Sequence, residues 1–262
     1  MKRMDCQVDK QEITLFYDGF TEKLINDFIR GNPRFNRAVD KVCSQISAST
    51  RHILDVGCGI GASSYYYARH SPQVQVVGVD ISPNNIATAR RLFGTNNLEF
   101  KVSDLSTPPR DHPFDMVVML DLYEHIPRKD WPGFNRVIKS QMDSVCTVVL
   151  TTPSVAHQEY LHRENPSGLQ VVDETVTLPD LVQFADDIDA KFVSFEHVSI
   201  WRKNDYVHCL FQRGPAYAPI DNGRNLIISR ITRRLKGMLD PRSLIARSLR
   251  KKVVQSRLGI FA

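Results

Sequence analysis

Three acids stand at regular intervals around a glycine-rich turn. The run Asp55-Val-Gly57-Cys58-Gly59-Ile-Gly61 is followed by Asp80, 23 residues after Gly57, and by Asp104, a further 24 residues on. Glycines at such a turn let the backbone bend sharply and let a ligand approach the peptide groups. The residue after Gly61 is Ala62, so the run departs from G-x-G-x-x-G, although dinucleotide loops tolerate alanine there. Asp55 is read at the mouth of the loop, where its carboxylate repels a pyrophosphate and attracts an amino group or a sulfonium. Asp80 can accept hydrogen bonds from a ribose diol, and Asp104 from an adenine amine. The ligand so described is a nucleoside with a positive charge and an amino-acid part, without phosphates. Further along, His125 titrates near neutrality and could act as a base.

The elements that must position these residues follow from periodicity. Residues 11–47 have helical spacing, with Leu24, Ile25 and Phe28 before a break at Asn32-Pro33 and Val39, Val42 and Ile46 after it. Short apolar runs at 51–56, 74–79, 98–102, 114–120 and 145–151 alternate with helical stretches at 61–70, 83–93 and 131–142. That alternation predicts a doubly wound α/β domain with a mostly parallel sheet. The runs 192–201 and 206–212, separated by Arg202-Lys-Asn-Asp205, predict an antiparallel edge hairpin in which Trp201 and Tyr206 pack. Residues 157–174 are polar and predict a loop or lid; 178–188 predicts a short helix.

Four segments in register resemble the class I S-adenosylmethionine-dependent methyltransferases. They are Leu54-Asp-Val-Gly-Cys-Gly-Ile-Gly61, Val77-Gly-Val-Asp-Ile81, Val102-Ser-Asp-Leu105 and Phe114 through Ile126, within about residues 50–155. The resemblance implies a Rossmann-like seven-stranded sheet ending in an antiparallel hairpin. It implies S-adenosylmethionine held by Gly57, Asp80, Asp104 and the backbone near Leu120. Asp55, Cys58, Gly59, Gly61, Ile81 and Leu105 flank those positions and join the expected cofactor site, with Tyr17 closing over the sulfonium through its ring face. Tyr123-Glu-His-Ile126 looks like the turn of the ubiquinone-methyltransferase-like small-molecule branch, with Tyr in place of Leu.

Two acceptor classes lack their motifs. No (Asp/Asn)-Pro-Pro-aromatic turn follows the fourth strand, where base-N-methylating enzymes carry it, and no Pro-Cys nucleophile of cytosine-C5 enzymes is present. The expected acceptor is therefore a hydroxyl on a small, sugar or lipid-linked molecule, with His125 as general base. His157, His162, Glu164, Asp173 and Glu174 cluster where this fold places acceptor-binding insertions, and His157 joins His125 as a catalytic candidate. No tight metal-ligand spacing appears, so no metal is expected. N-methylation of a small amine and a non-catalytic S-adenosylmethionine-binding adaptor remain open.

Charge divides the chain. Residues 214–262 carry 11 Lys and Arg against two acids, net +9, which leaves −4 on residues 1–213. An acidic body excludes a nucleic-acid-binding one, so the tail requires its own partner. Ile227, Ile231, Leu235 and Met238, then Ile245, Leu249 and Val253 after Asp240-Pro241, predict two basic amphipathic helices. They suit peripheral membrane contact through 226–258, docking on the body, or a homodimer, with nucleic acid the least favoured partner. The boundaries read as a helical cap over 1–48, the S-adenosylmethionine-binding domain over 49–213 and the tail over 214–262. Five cysteines without a C-x-x-C pair suit a reducing cytoplasm, with the tail at the inner membrane surface. No apolar run reaches membrane-spanning length, and the first residues lack the apolar stretch of a secretory signal.

Overall fold

The computed structural model describes residues 10–214, 242 and 246–259. Strands β1 (His52–Val56), β2 (Gln75–Asp80), β3 (Leu98–Val102), β4 (Phe114–Leu120) and β5 (Met142–Pro153) run parallel. Strands β6 (Lys191–Val198) and β7 (Tyr206–Arg213) complete the sheet as an antiparallel hairpin, with β7 against β5. The order is β3-β2-β1-β4-β5-β7-β6, the seven-stranded arrangement of class I methyltransferases. Strand order reverses between β1 and β4, so their carboxyl ends part and open a crevice.

Alternation along each strand decides what faces which layer. Leu54 and Val56 point, with Val77, Val79, Val117 and Met119, toward α6 (Trp131–Gln141) and α8 (Leu178–Asp187), where Ile138, Leu181 and Phe184 are buried. Ile53 points the other way, with Val76, Met116 and Val118, onto Val39 and Val42 of α3 (Pro33–Gln45) and Tyr67 of α4 (Ala62–His70). Asn32 caps α3 by accepting from the amides of Arg34 and Phe35, with Pro33 at the first turn. The break expected at Asn32-Pro33 is thus a helix start.

Two further helices, α1 (Lys10–Gly19) and α2 (Thr21–Arg30), roof the crevice. No residue of α2 is fully buried; Leu24, Ile25, Phe28 and Ile29 pack partly buried against α5 (Pro83–Leu92) and the last described helix, α9 (Arg247–Leu258). Between β5 and α8 lies α7 (Val155–Glu164), capped by the Ser154 hydroxyl. This corrects the expectation of a loop over 157–174: the first half is helix, and only the stretch after Asn165 is irregular apart from a single 3₁₀ turn at Pro166–Gly168. The helix predicted around Ile227–Met238 and the Asp240-Pro241 cap lie outside the described residues. Among the described residues, no helix is long and apolar enough to cross a membrane.

Candidate active site

The crevice at the carboxyl ends of β1, β2 and β4 encloses a cavity of about 350 Å³. Its floor is the glycine turn. The amides of Gly57 and Cys58 both donate to Val79 O (2.8 and 3.0 Å), which pins the turn to β2. Gly57, Cys58 and Gly59 line the cavity. Gly59 has φ +53°, and a Cβ there would stand 3.1 Å from Leu24 Cδ1 of the roof, narrowing the cradle. Cys58 is buried, and burial pushes its thiol pKa well up, so it is no nucleophile.

Two expected cofactor residues lie behind the turn rather than on the cavity wall. Gly61 starts α4 at φ +82°, its Cα facing the Phe100 ring. Asp55 is 1% exposed, and its Oδ2 accepts from Ser63 Oγ and Ser64 Oγ, both at 2.6 Å. Strand alternation explains where Asp55 stands: it shares the Ile53 face of β1, which α4 covers. Burial pushes its pKa up to about 6 against the two serine hydrogen bonds.

Asp80, Ile81, Asp104 and Leu105 line the cavity. Asp80 Oδ2 accepts from Gly59 N and Oδ1 from Ser82 N, both at 2.9 Å. Burial nevertheless raises its pKa. The Asp104 carboxylate folds back on Ser106 N at 2.9 Å, and Leu105 adopts φ +61° beside it. The roof is tied to this edge. Asp18 Oδ1 accepts from Ser82 Oγ (2.5 Å) and Asn84 N (3.2 Å), and Thr21 Oγ1 donates to Asn85 Oδ1 (2.8 Å).

Leu120 and His125 close the opposite wall. His125 sits on a 3₁₀ turn, Tyr123–His125, after β4. Its Nδ1 is 2.8 Å from Val172 O, and its Nε2 is 2.9 Å from Gln170 Nε2. A carbonyl can only accept, so Nδ1 carries the proton and Nε2 presents a lone pair to the Gln170 amide. Asp173 Oδ1 lies 3.5 Å from Nδ1 and Glu124 Oε1 4.0 Å from Nε2. Burial lowers the His125 pKa despite the nearby Asp173. Glu124 is fully buried, neither carboxyl oxygen has a hydrogen-bond partner, and burial followed by Asp121 raises its pKa well above the carboxylate range. Tyr17 lies edge-on to His125, ring centroids 6.4 Å apart, with its hydroxyl buried and without a hydrogen-bond partner. Burial, then Glu124, Asp173 and Asp80, raise its pKa.

His157 lies in the first turn of α7, packs on Tyr206 (5.5 Å between centroids), and does not line the cavity. Of the polar cluster around it, Asp173 reaches His125, whereas His162 and Glu164 do not. Sequence reasoning missed Arg34 and Asp121, which form a 3.1 Å ion pair on the cavity wall, and Gln170. Asp121 has φ +49°, and its Oδ1 accepts from Thr151 Oγ1 at 2.8 Å. The one available signal for Arg34 was its place directly after the helix-starting Pro33. Among the described residues, no group of three or more His, Cys, Asp or Glu could hold a metal ion.

Residues 53–143 match the family described as a methyltransferase domain, and the sheet around them has the strand order of the class I S-adenosylmethionine-dependent methyltransferase fold. It is similar to phosphoethanolamine N-methyltransferase 1 of Arabidopsis thaliana, 34% identical over 119 residues, which cover 42% of this chain and 24% of that protein. It is also similar to a ubiquinone biosynthesis O-methyltransferase of Coxiella burnetii, 24% identical over 181 residues, covering 68% and 72%. The chain spans under a third of the length of the N-methyltransferases it matches. Among solved structures, magnesium protoporphyrin IX methyltransferase of Synechocystis PCC 6803, with bound S-adenosylhomocysteine, superimposes with a TM-score of 0.63 at 18% identity, over 79% of this chain and all of that one.

Proposed function

We propose that the chain methylates an oxygen of a small or lipid-linked hydroxylated acceptor from S-adenosylmethionine, with His125 as general base. The residues present fit that cofactor. Gly59 leaves a cradle that a Cβ would narrow, Asp80 faces the cavity where a ribose diol would lie, and the buried Tyr17 hydroxyl lacks a partner. When bound, S-adenosylmethionine supplies an electrophilic methyl group on a sulfonium.

The observation that carries the reading is the His125 tautomer. Val172 O fixes the proton on Nδ1, so the lone pair is on Nε2 at the cavity wall, where the Gln170 amide covers it at 2.9 Å. Once the Gln170 amide turns aside, Nε2 would be placed to take the O–H proton of an acceptor hydroxyl at that wall. Asp173 stands beside Nδ1 and would steady the imidazolium that results. The roof of α1 and α2 excludes water and aligns the nucleophile, which is most of what this displacement asks of a protein. His125→Ala should bind S-adenosylmethionine normally and form S-adenosylhomocysteine roughly 10²–10⁴-fold more slowly with a working acceptor. A loss under about tenfold leaves His125 only a structural part.

A second reading is N-methylation of a small amine. Asp173 beside His125 favours it, because a carboxylate there would draw in a cation. Mass spectrometry of the methylated product separates an ether or ester from an amine. Absence of turnover with every acceptor offered, alongside intact cofactor binding, would favour the adaptor reading.

A further inference from the structure

The face that α9 turns outward is not the face it uses to dock. Val254 (2% exposed) and Arg250 (4%) are buried, and Arg250 Nε donates to Ile29 O at the end of α2. Arg257 Nη1 donates to Leu92 O of α5, and Arg91 Nη2 to Leu258 O at 2.7 Å. These contacts strap α9 across α2 and α5. Leu249 (64% exposed) and Val253 (38%), one turn apart, are left facing out. Lys251 and Lys252 are also exposed, and α9 contains no acid.

We propose that this outward face rests on a lipid surface bearing anionic headgroups. Lysines meet the phosphates while Leu249 and Val253 enter the headgroup boundary, the division of labour that interfacial helices use. The charge is complementary: the segment from 214 onward is net +9, while residues 1–213 are net −4 and would be repelled by the same surface. A nucleic acid would also attract the lysines, but its phosphates give no reason for two exposed aliphatic side chains on one face. Arg250 lines the cavity from the other side of the same helix, so a surface under α9 brings lipid-borne molecules to the roof. The inference stands apart from the methyl-transfer reading, because it concerns binding without turnover.

The test is co-sedimentation of the full chain with phosphatidylglycerol-rich vesicles and with phosphatidylcholine vesicles. Binding to the first and not the second is expected, weakening as salt rises. Lys251→Gln with Lys252→Gln should bind about thirtyfold more weakly, near fivefold per lysine. Leu249→Gln with Val253→Gln should abolish the part that persists in high salt. All four side chains are exposed, and an unchanged thermal melt confirms that the fold is retained. No binding to the anionic vesicles overturns the proposal. So does binding equal in wild type and both variants, or a homodimer, detected by sedimentation, that the Leu249 and Val253 changes dissociate. Preferential binding of duplex DNA over the vesicles overturns it in favour of nucleic acid.

Discussion

The side-chain amide of Gln170 occupies the lone pair of His125, Nε2 to Nε2 at 2.9 Å. Only the neutral imidazole can accept that bond, so Gln170 holds the base in its uncharged form and also covers it. Gln170→Ala should raise the His125 pKa, because a hydrogen bond that only the neutral form can accept is lost. A proton-detected titration of the histidine ring checks this. An unchanged or lower value would mean that Gln170 does not donate to Nε2.

Asp80 joins two tasks. It faces the cavity, and it holds Gly59 N and Ser82 N in place. Asp80→Ala should therefore weaken S-adenosylmethionine binding by at least two ribose hydrogen bonds, ~1.5–3 kcal/mol each. Calorimetry on the folded variant measures this, and unchanged affinity would remove the cofactor assignment.

Asp55 makes stability depend on pH. Its pKa is about 6 in the fold and 3.8 ordinarily, so the folded state holds the proton over a range where the unfolded chain has released it. Stability from this group is complete below about pH 4 and is lost as pH rises through about 6, by about 3 kcal/mol in all. Burial raises Asp80 and Glu124 in the same direction. Asp55→Asn, which can still accept from Ser63 and Ser64, should flatten the slope between those pH values. Urea unfolding of both proteins across that range is the measurement, and parallel curves would refute the linkage.

Gly61 is the least replaceable glycine of the turn. It combines φ +82° with a Cβ position that collides with the Phe100 ring and stands 2.9 Å from Ala89 Cβ. At Gly57 the obstacle is the flexible end of Leu122. Gly61→Ala should thus cost roughly 1–3 kcal/mol from backbone strain and overpacking, more than Gly57→Ala. Thermal melts of the two variants would show the order.

Patterns carried by a period of two or by a glycine turn were legible in the sequence. The seven strands, the edge hairpin and the places of Gly57, Asp80, Asp104 and His125 all belong to that kind. What escaped depends on direction or on distance in the chain. Spacing placed Asp55 beside the loop, but only the packing of α4 shows that its strand face is covered. His157 belongs to a helix begun by Ser154, and a capped helix of polar composition reads like a loop. Gln170, Val172 and Asp173 reach His125 across more than forty residues, which no local pattern records. In the tail, helical spacing put Leu249 and Val253 on one apolar stripe without deciding what it meets; arginine contacts to the ends of α2 and α5 leave both side chains exposed.

The bonds from Asp18 to Ser82 and Asn84 bear on timing. They join the roof to the turn that carries Asp80, so Asp18→Ala should loosen α1 over that turn and shorten the time a ligand spends against Asp80, which stopped-flow release measures.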